Sequence, residues 1–153
     1  MKKCDAVFEG GGVKGIGLVG AVAAVEEAGY TFENLAGTSA GAIVAALLAV
    51  GYQAVEIAEI LNTLDYREFK DETLISNLGW PGKLASEFLS YGAYKGDFFK
   101  DWLQTLLTAR GKTTFGEIRY ENQAEEKYRY RFQAIAADLS DQRLLVLPGD
   151  LKE

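Results

Sequence analysis

Short apolar runs alternate with longer helical patterns along the chain and predict a layered α/β fold. Residues 5–9 form an apolar run bounded by a glycine cluster, which is typical of a buried strand, and residues 34–37 predict a second short strand. Between them, residues 15–29 are helix formers that end at a glycine. A second helix is predicted for residues 40–51, and it is apolar on nearly every side, as a buried helix is.

The middle of the chain begins with an amphipathic pattern and then becomes irregular. Residues 54–64 predict a helix, and the stripe expected to face the core consists of Val55, Ala58, Leu61 and Leu64. Residues 65–95 mix glycine, proline, aromatic and aliphatic side chains. This composition fits a loop packed on the core, and it also fits a lid or a wall around an acyl chain. The pattern leaves both interpretations open.

The last third of the chain returns to regular patterns. Residues 96–111 predict a helix with Asp97 at its N-cap and Gly111 as its terminator. A polar, exposed connection follows at residues 121–129, and residues 130–140 and 143–150 predict two strands joined by a short turn. The order of elements predicts a single α/β domain with three layers around a mainly parallel central sheet.

Composition and charge narrow the class of protein. The chain has 153 residues, 48% of them apolar and 25% charged, which is typical of a soluble globular domain. Its net charge of -6 argues against nucleic acid as a partner. The single cysteine, Cys4, excludes an internal disulfide framework and fits the cytoplasm. Asp5 and Glu9 interrupt any signal-peptide core, and the longest apolar run is too short to span a bilayer.

The first glycine motif lies between the first predicted strand and the first predicted helix. Residues 10–15 fit G-x-G-x-x-G, the pattern of a dinucleotide-binding turn. That function needs a carboxylate at the end of the second strand, but Glu33 precedes the predicted strand, and Lys14 lacks the Ser or Thr of a phosphate-binding loop. Such a turn also lets backbone N–H groups converge on an oxyanion. The simplest alternative is a tight turn that needs glycine for packing alone.

The second glycine motif is Gly37-Thr38-Ser39-Ala40-Gly41, which fits G-x-S-x-G between a strand and a helix. In a nucleophile elbow, Ser39 would project at the positive end of the helix dipole, and the Ala40 N–H would be an oxyanion donor. The simpler alternative is a serine N-cap. Both glycine turns are expected at the carboxyl edge of one sheet, where ligands bind in α/β folds.

Together the two motifs resemble those of the patatin-like phospholipase family. Residues 9–15 are similar to its G-G-G-x-[RK]-G motif, residues 37–41 to its G-x-S-x-G motif, and the resemblance extends over the whole chain. It implies a lipid acyl hydrolase that acts on a lipid or ester substrate, contacts membranes peripherally and uses neither a metal nor an organic cofactor. The implied Ser–Asp dyad needs no histidine, and the chain has none. The resemblance makes Ser39 the nucleophile, assigns the oxyanion hole to Gly10, Gly11, Gly12 and Ala40, and gives supporting roles to Lys14, Gly15, Gly37 and Gly41.

The chain departs from the family pattern at the catalytic aspartate. That residue lies in a D-G-[GA] motif, and none of the eight aspartates here is followed by glycine. Asp138 is the best placed, at the end of a predicted strand, but it is expected to be a turn residue. We therefore expect the N-terminal part of a longer enzyme, truncated before the motif.

Two other functions stay open. One is a non-catalytic fragment or binding module that retains the oxyanion-hole glycines, and the less favoured one is a nucleotide-binding domain. The sequence indicates no oligomeric state.

Overall fold

The computed structural model describes residues 2–11, 15–64, 97–120 and 124–151. Its regular elements alternate between strands and helices in the first half and end in strands. The strands are β1 (Lys2–Phe8), β2 (Tyr30–Thr38), β3 (Phe132–Asp138) and β4 (Arg143–Leu147). The helices are α1 (Ile16–Glu27), α2 (Ala40–Ala49), α3 (Ala54–Thr63) and α4 (Asp97–Ala109), with short 3-10 helices at Phe115–Ile118 and Glu126–Tyr128.

The four strands form one sheet in the order β1-β2-β3-β4. Strands β1, β2 and β3 run parallel, and β4 pairs with β3 in the antiparallel direction. The predicted α/β fold with a mainly parallel sheet is confirmed, as is the closing pair of strands. A parallel neighbour needs a crossover connection, which is why a helix lies between β1 and β2, whereas β3 and β4 are joined by a short turn.

Strand β2 is longer than the sequence predicted, and Glu33 lies inside it rather than before it. The prediction was wrong because Tyr30, Thr31 and Phe32 pair with the beginning of β1 despite the polar residues that follow. The pairing then shifts by one residue, since Cys4 faces Phe32 and Ala6 faces Leu35. Asp5 of β1 therefore faces two residues of β2, an irregularity that the sequence pattern does not show.

Helices α1, α2 and α3 form a layer on one face of the sheet. Helix α2 packs against β1, β2 and β3, and α1 packs against β2. The packing of α1 against α2 and α3 agrees with this arrangement. Seven of the ten residues of α2 are buried, so the prediction of a helix apolar on nearly every side is confirmed.

The predicted stripe of α3 is wrong at its first position. Val55 is 63% exposed, and the buried residues are Ala54, Ile57 and Leu61. The helix packs against α1, and this tertiary contact selects a buried stripe that differs from the sequence prediction. The glycine terminators were predicted correctly, since Gly29 and Gly111 follow α1 and α4 with positive φ.

The chain divides into two compact units. One comprises Met1–Thr63 and Leu107–Glu153 and holds the whole sheet, and the other is Leu64–Leu106. Within Leu64–Leu106, α4 begins at Asp97, so this acidic residue lies in the first turn and not at the predicted N-cap. The interpretation of residues 65–95 as a loop, lid or wall falls outside the described residues. No described helix is long and apolar enough to cross a membrane.

Candidate active site at the carboxyl edge of the sheet

Ser39 joins the end of β2 to the beginning of α2 in an unusual backbone conformation. Its φ is 51° and its ψ is -128°, and the residue is exposed. Positive φ is uncommon for a residue with a β-carbon, and this combination with ψ lies outside the small left-handed region. Only one other described non-glycine residue, Gln142, has positive φ. Strain at such positions persists only when the surrounding structure enforces it.

The side chain of Ser39 does not cap α2, so the simpler alternative of a serine N-cap is not supported. Ser39 occupies the N-cap position of α2, and its carbonyl accepts the N–H of Ala42 at 3.0 Å. Its hydroxyl makes no capping hydrogen bond to the helix, although this bond is the reason that serine is favoured there. The strain of the turn is therefore not offset by a cap.

Close packing of α2 on the strands enforces the turn. A β-carbon at Gly37 would overlap the carbonyl of Gly41, and one at Gly41 would overlap the carbonyls of Phe8 and Glu9. These neighbours are backbone atoms, which cannot move aside as a flexible side chain can. The two glycines of the G-x-S-x-G motif thus let the beginning of α2 rest directly on the ends of β1 and β2.

The first glycine turn lies against the second. A β-carbon at Gly10 would stand 3.1 Å from the β-carbon of Ser39, and one at Gly15 would stand 3.1 Å from that of Ala40. The structure therefore brings together the two motifs that the sequence separates by more than twenty residues. Gly11 is exposed beside Gly10, whereas Gly12 and Lys14 lie outside the described residues.

The beginning of α2 is suited to stabilise negative charge. The first N–H groups of a helix lack partners within the helix, and the dipole places partial positive charge there. No acidic residue occupies the first turn of α2. Ala40 is the first residue of this helix, so its N–H is one of these groups.

Asp138 is a turn residue, as the sequence predicted. It ends β3, and its Oδ1 accepts the backbone N–H groups of Ser140 at 3.0 Å and Asp141 at 3.2 Å. Its Oδ2 lies 3.6 Å from Nε of Arg143. Both carboxylate oxygens therefore serve the turn between β3 and β4. In the described ranges no group of three or more metal-ligating side chains occurs.

The end of β2 lacks the carboxylate of a dinucleotide site. Strand β2 ends at Thr38, and Glu33 lies well before that end, where its carboxylate pairs with Nζ of Lys3 at 2.7 Å. The ribose contact expected of a dinucleotide-binding turn has no counterpart at the end of this strand.

A polar pair that was not predicted from the sequence joins β1 to β2 elsewhere on the sheet. Oδ1 of Asp5 accepts the backbone N–H of Asn34 at 3.1 Å and its side-chain amide at 2.9 Å. The pair lines a cavity of about 250 Å³, together with Gln133, Tyr128 and Tyr130. No local signal predicts it, because the two partners are 29 residues apart and meet only through the shifted strand pairing.

Known proteins show similarity to this chain in sequence and in fold. The profile of the family described as "Patatin-like phospholipase" matches residues 6–142. A protein of Bacillus subtilis (strain 168), "Uncharacterized protein YqhO", is 38% identical over 151 residues, and the match covers 96% of this chain and 47% of that protein. The crystal structure of the type III effector protein ExoU has a TM-score of 0.54 at 19% identity, covers 99% of this chain and 37% of that one, and confirms the fold class. The chain thus spans about half the length of the curated relative it matches.

Proposed function

Because the chain belongs to the patatin-like phospholipase family, we propose that it carries the nucleophile of a serine lipid acyl hydrolase, and that this nucleophile is Ser39. The observation that carries the proposal is the strained backbone of Ser39, which has positive φ and no capping bond between its hydroxyl and α2. Strained residues of this kind cluster at active sites. The strain supports a hydroxyl that is held out from the sheet edge for reaction.

The proposed reaction is ester hydrolysis through an acyl-enzyme. The Ser39 oxygen attacks the carbonyl carbon of the ester, and N–H groups of residues 10–12 and of Ala40 stabilise the oxyanion. The base takes the proton of the Ser39 hydroxyl during the attack and passes it to the alcohol oxygen as the ester bond breaks. Water attacks the acyl group on Ser39, releases the acid and restores the hydroxyl. Every step is an acyl or proton transfer, and the scheme requires no metal or organic cofactor.

The proposed base is an aspartate of a D-G-[GA] motif in further polypeptide of a longer protein. The chain contains no such motif, and both carboxylate oxygens of Asp138 are engaged in a turn. A carboxylate of ordinary pKa, about 4, is a weak base towards a hydroxyl, but partial burial raises its pKa and makes it a stronger base. A Ser–Asp dyad of this kind is consistent with the absence of histidine from the sequence.

The proposed substrate class is a lipid ester, met at the membrane surface. The name of the family supports a phospholipid or a related acyl ester. A peripheral contact with the membrane, which the resemblance to this family implies, is part of the proposal.

Hydrolysis of a short p-nitrophenyl ester by the full-length protein tests the proposal. We expect Ser39→Ala to lower kcat by about 10³-fold or more, because the nucleophile is lost while the oxyanion donors remain. The matched control is Ser140→Ala, a serine in the exposed turn after β3, which should leave kcat unchanged. Full activity in Ser39→Ala would exclude Ser39 as the nucleophile.

A binding module is the second candidate function for this chain alone. It is favoured by the engaged carboxylate of Asp138 and by the absence of a D-G-[GA] motif from the sequence. The 153-residue chain would then keep the oxyanion donors without a base. Labelling of Ser39 by a fluorophosphonate probe in the 153-residue chain would argue against an inert module.

A further inference from the structure

Two large apolar side chains are exposed at the carboxyl edge of the sheet, one on each side of Ser39 in strand order. Ile16 begins α1 directly after the glycine turn that follows β1, and it is 45% exposed. Leu139 comes directly after β3 and is 66% exposed. Ser39 follows β2, which lies between β1 and β3. Scattered apolar side chains are common on protein surfaces, so the informative observation is the position that these two share beside Ser39.

The hairpin of β3 and β4 projects beyond the end of β2. Thr38, the last residue of β2, pairs with Ile135, and β3 continues for three more residues to Asp138. At about 3.3 Å per residue, β3 extends roughly 10 Å past the strand end that precedes Ser39. Leu139 follows this extension, so its side chain lies ahead of Ser39 for any surface that approaches this edge.

The turn that carries Leu139 is held by polar contacts. Oδ1 of Asp138 accepts the backbone N–H groups of Ser140 at 3.0 Å and Asp141 at 3.2 Å. Nε of Arg143 lies 3.6 Å from Oδ2 of Asp138 and 3.7 Å from Oδ2 of Asp141. Paired N–H groups and paired charges cost less to transfer from water to a less polar medium than unpaired ones. The turn is therefore suited to bring Leu139 into such a medium.

The first turn of α1 lies close to the candidate site on the other side. A β-carbon at Gly15 would stand 3.1 Å from that of Ala40, whose N–H is a proposed oxyanion donor. Ile16 is the next residue after Gly15. An apolar phase that approaches this edge meets Ile16 on the β1 side and Leu139 on the β3 side, with Ser39 between them in strand order.

The inference rests on the proposed function, because a lipid ester reacts only if it reaches Ser39 at this edge. We propose that Ile16 and Leu139 enter the boundary between the headgroups and the acyl chains of a phospholipid bilayer and hold the carboxyl edge of the sheet against it. Apolar side chains bind to that boundary according to the area they bury. Leu139 is the more exposed of the two and contributes more.

Co-sedimentation of the full-length protein with phosphatidylcholine vesicles tests this contact, in a Ser39→Ala background that leaves the lipid intact. We expect Leu139→Ser to weaken binding about 10-fold, because a leucine side chain no longer enters the bilayer, and Ile16→Ser to weaken it less. The matched control is Val55→Ser, since Val55 is 63% exposed but lies on α3, beyond the end of α2 that is far from Ser39. Val55→Ser should bind as the parent does. Urea unfolding checks that the variants are folded.

The occupant is identified by an environment-sensitive fluorophore on Leu139→Cys, with Cys4→Ala added to the same background. We expect its emission to shift to shorter wavelength when vesicles are added, and that of the same label on Val55→Cys to stay unchanged. A short wavelength already without vesicles would mean that polypeptide covers Leu139, and it would overturn the inference. Failure of the parent to bind, or equal binding by Leu139→Ser and Val55→Ser, would overturn it as well.

The two proposals can fail separately. Vesicle binding is measured without hydrolysis, so it does not depend on Ser39 as the nucleophile. The role of Ser39 is tested with a soluble p-nitrophenyl ester, which needs no bilayer, and the Ser140→Ala control in that assay is independent of the membrane contact.

Discussion

The two strand–turn–helix units of this protein have the same order of elements but differ in how tightly they are packed. In the first unit, α1 buries only Val19 and Val22, and a β-carbon at Gly17 or Gly20 would meet nothing within 4 Å. In the second unit, most of α2 is buried, and its glycine at position 41 has no space for a β-carbon. Glycine is thus not needed for packing at positions 17 and 20 of α1, but it is required at position 41 of α2.

This difference shows that the tighter packing constraint lies in the second strand–turn–helix unit. The close contact of α2 with the strands fixes the turn that contains Ser39, and strained turns need such surroundings. In the first unit, the glycine turn brings Gly10 close to Ser39. The glycines inside α1 make no comparable close contacts. Substitutions of glycine by alanine in the two units should therefore differ in size and even in sign.

The largest effect is expected at Gly41. A β-carbon there would overlap the carbonyls of Phe8 and Glu9, so we expect Gly41→Ala to lower the free energy of unfolding by about 3 kcal/mol, at the upper end of overpacking effects. Urea unfolding followed by circular dichroism measures the change. A variant as stable as the parent would show that α2 does not rest on β1 as described.

A smaller effect on stability but a clear effect on activity is expected at Gly10. Its β-carbon would lie 3.1 Å from that of Ser39, a contact that a shift of a few tenths of an ångström relieves. We expect Gly10→Ala in the full-length protein to lower kcat by about 10-fold through displacement of the reacting groups, because misplacement of 1 Å can lower a rate about 100-fold. Unfolding measurements serve as the control. An unchanged kcat would contradict the proposed closeness of the two turns during reaction.

The smallest effect, with the opposite sign, is expected at Gly20. This residue lies inside α1 with open space around it, so Gly20→Ala should raise the free energy of unfolding by about 0.5–1 kcal/mol through the better helix propensity of alanine. The same urea titration compares it with Gly41→Ala. Destabilisation at Gly20 would remove the distinction between the two helices.

Much of the fold follows from local patterns. The apolar runs and terminal glycines predicted the order of strands and helices, because these signals are contained in a few neighbouring residues. The sequence pattern failed where contacts between residues far apart in the sequence determine the structure. Val55 was predicted to be buried, but the packing of α3 on α1 leaves it exposed. Strand β2 begins earlier than predicted because Tyr30 and its neighbours gain their partners only from β1.

The candidate site was predictable in part. The motif of residues 37–41 predicted a tight turn at Ser39, and its glycines are required by backbone contacts that the structure identifies. The absence of a capping bond could not be predicted, since serine at this position is equally typical of an ordinary N-cap. The pairing of Asp5 with Asn34 was also beyond prediction, because it depends on a register shift between two strands.

Covalent labelling of the full-length protein is the sharpest test of Ser39 as the nucleophile. A fluorophosphonate probe reacts with an activated serine hydroxyl, and peptide mass spectrometry then identifies the labelled residue. We predict one adduct, on Ser39, and its loss in Ser39→Ala but not in Ser140→Ala. An esterase that is active but remains unlabelled at Ser39, or that carries the adduct on another serine, would contradict it.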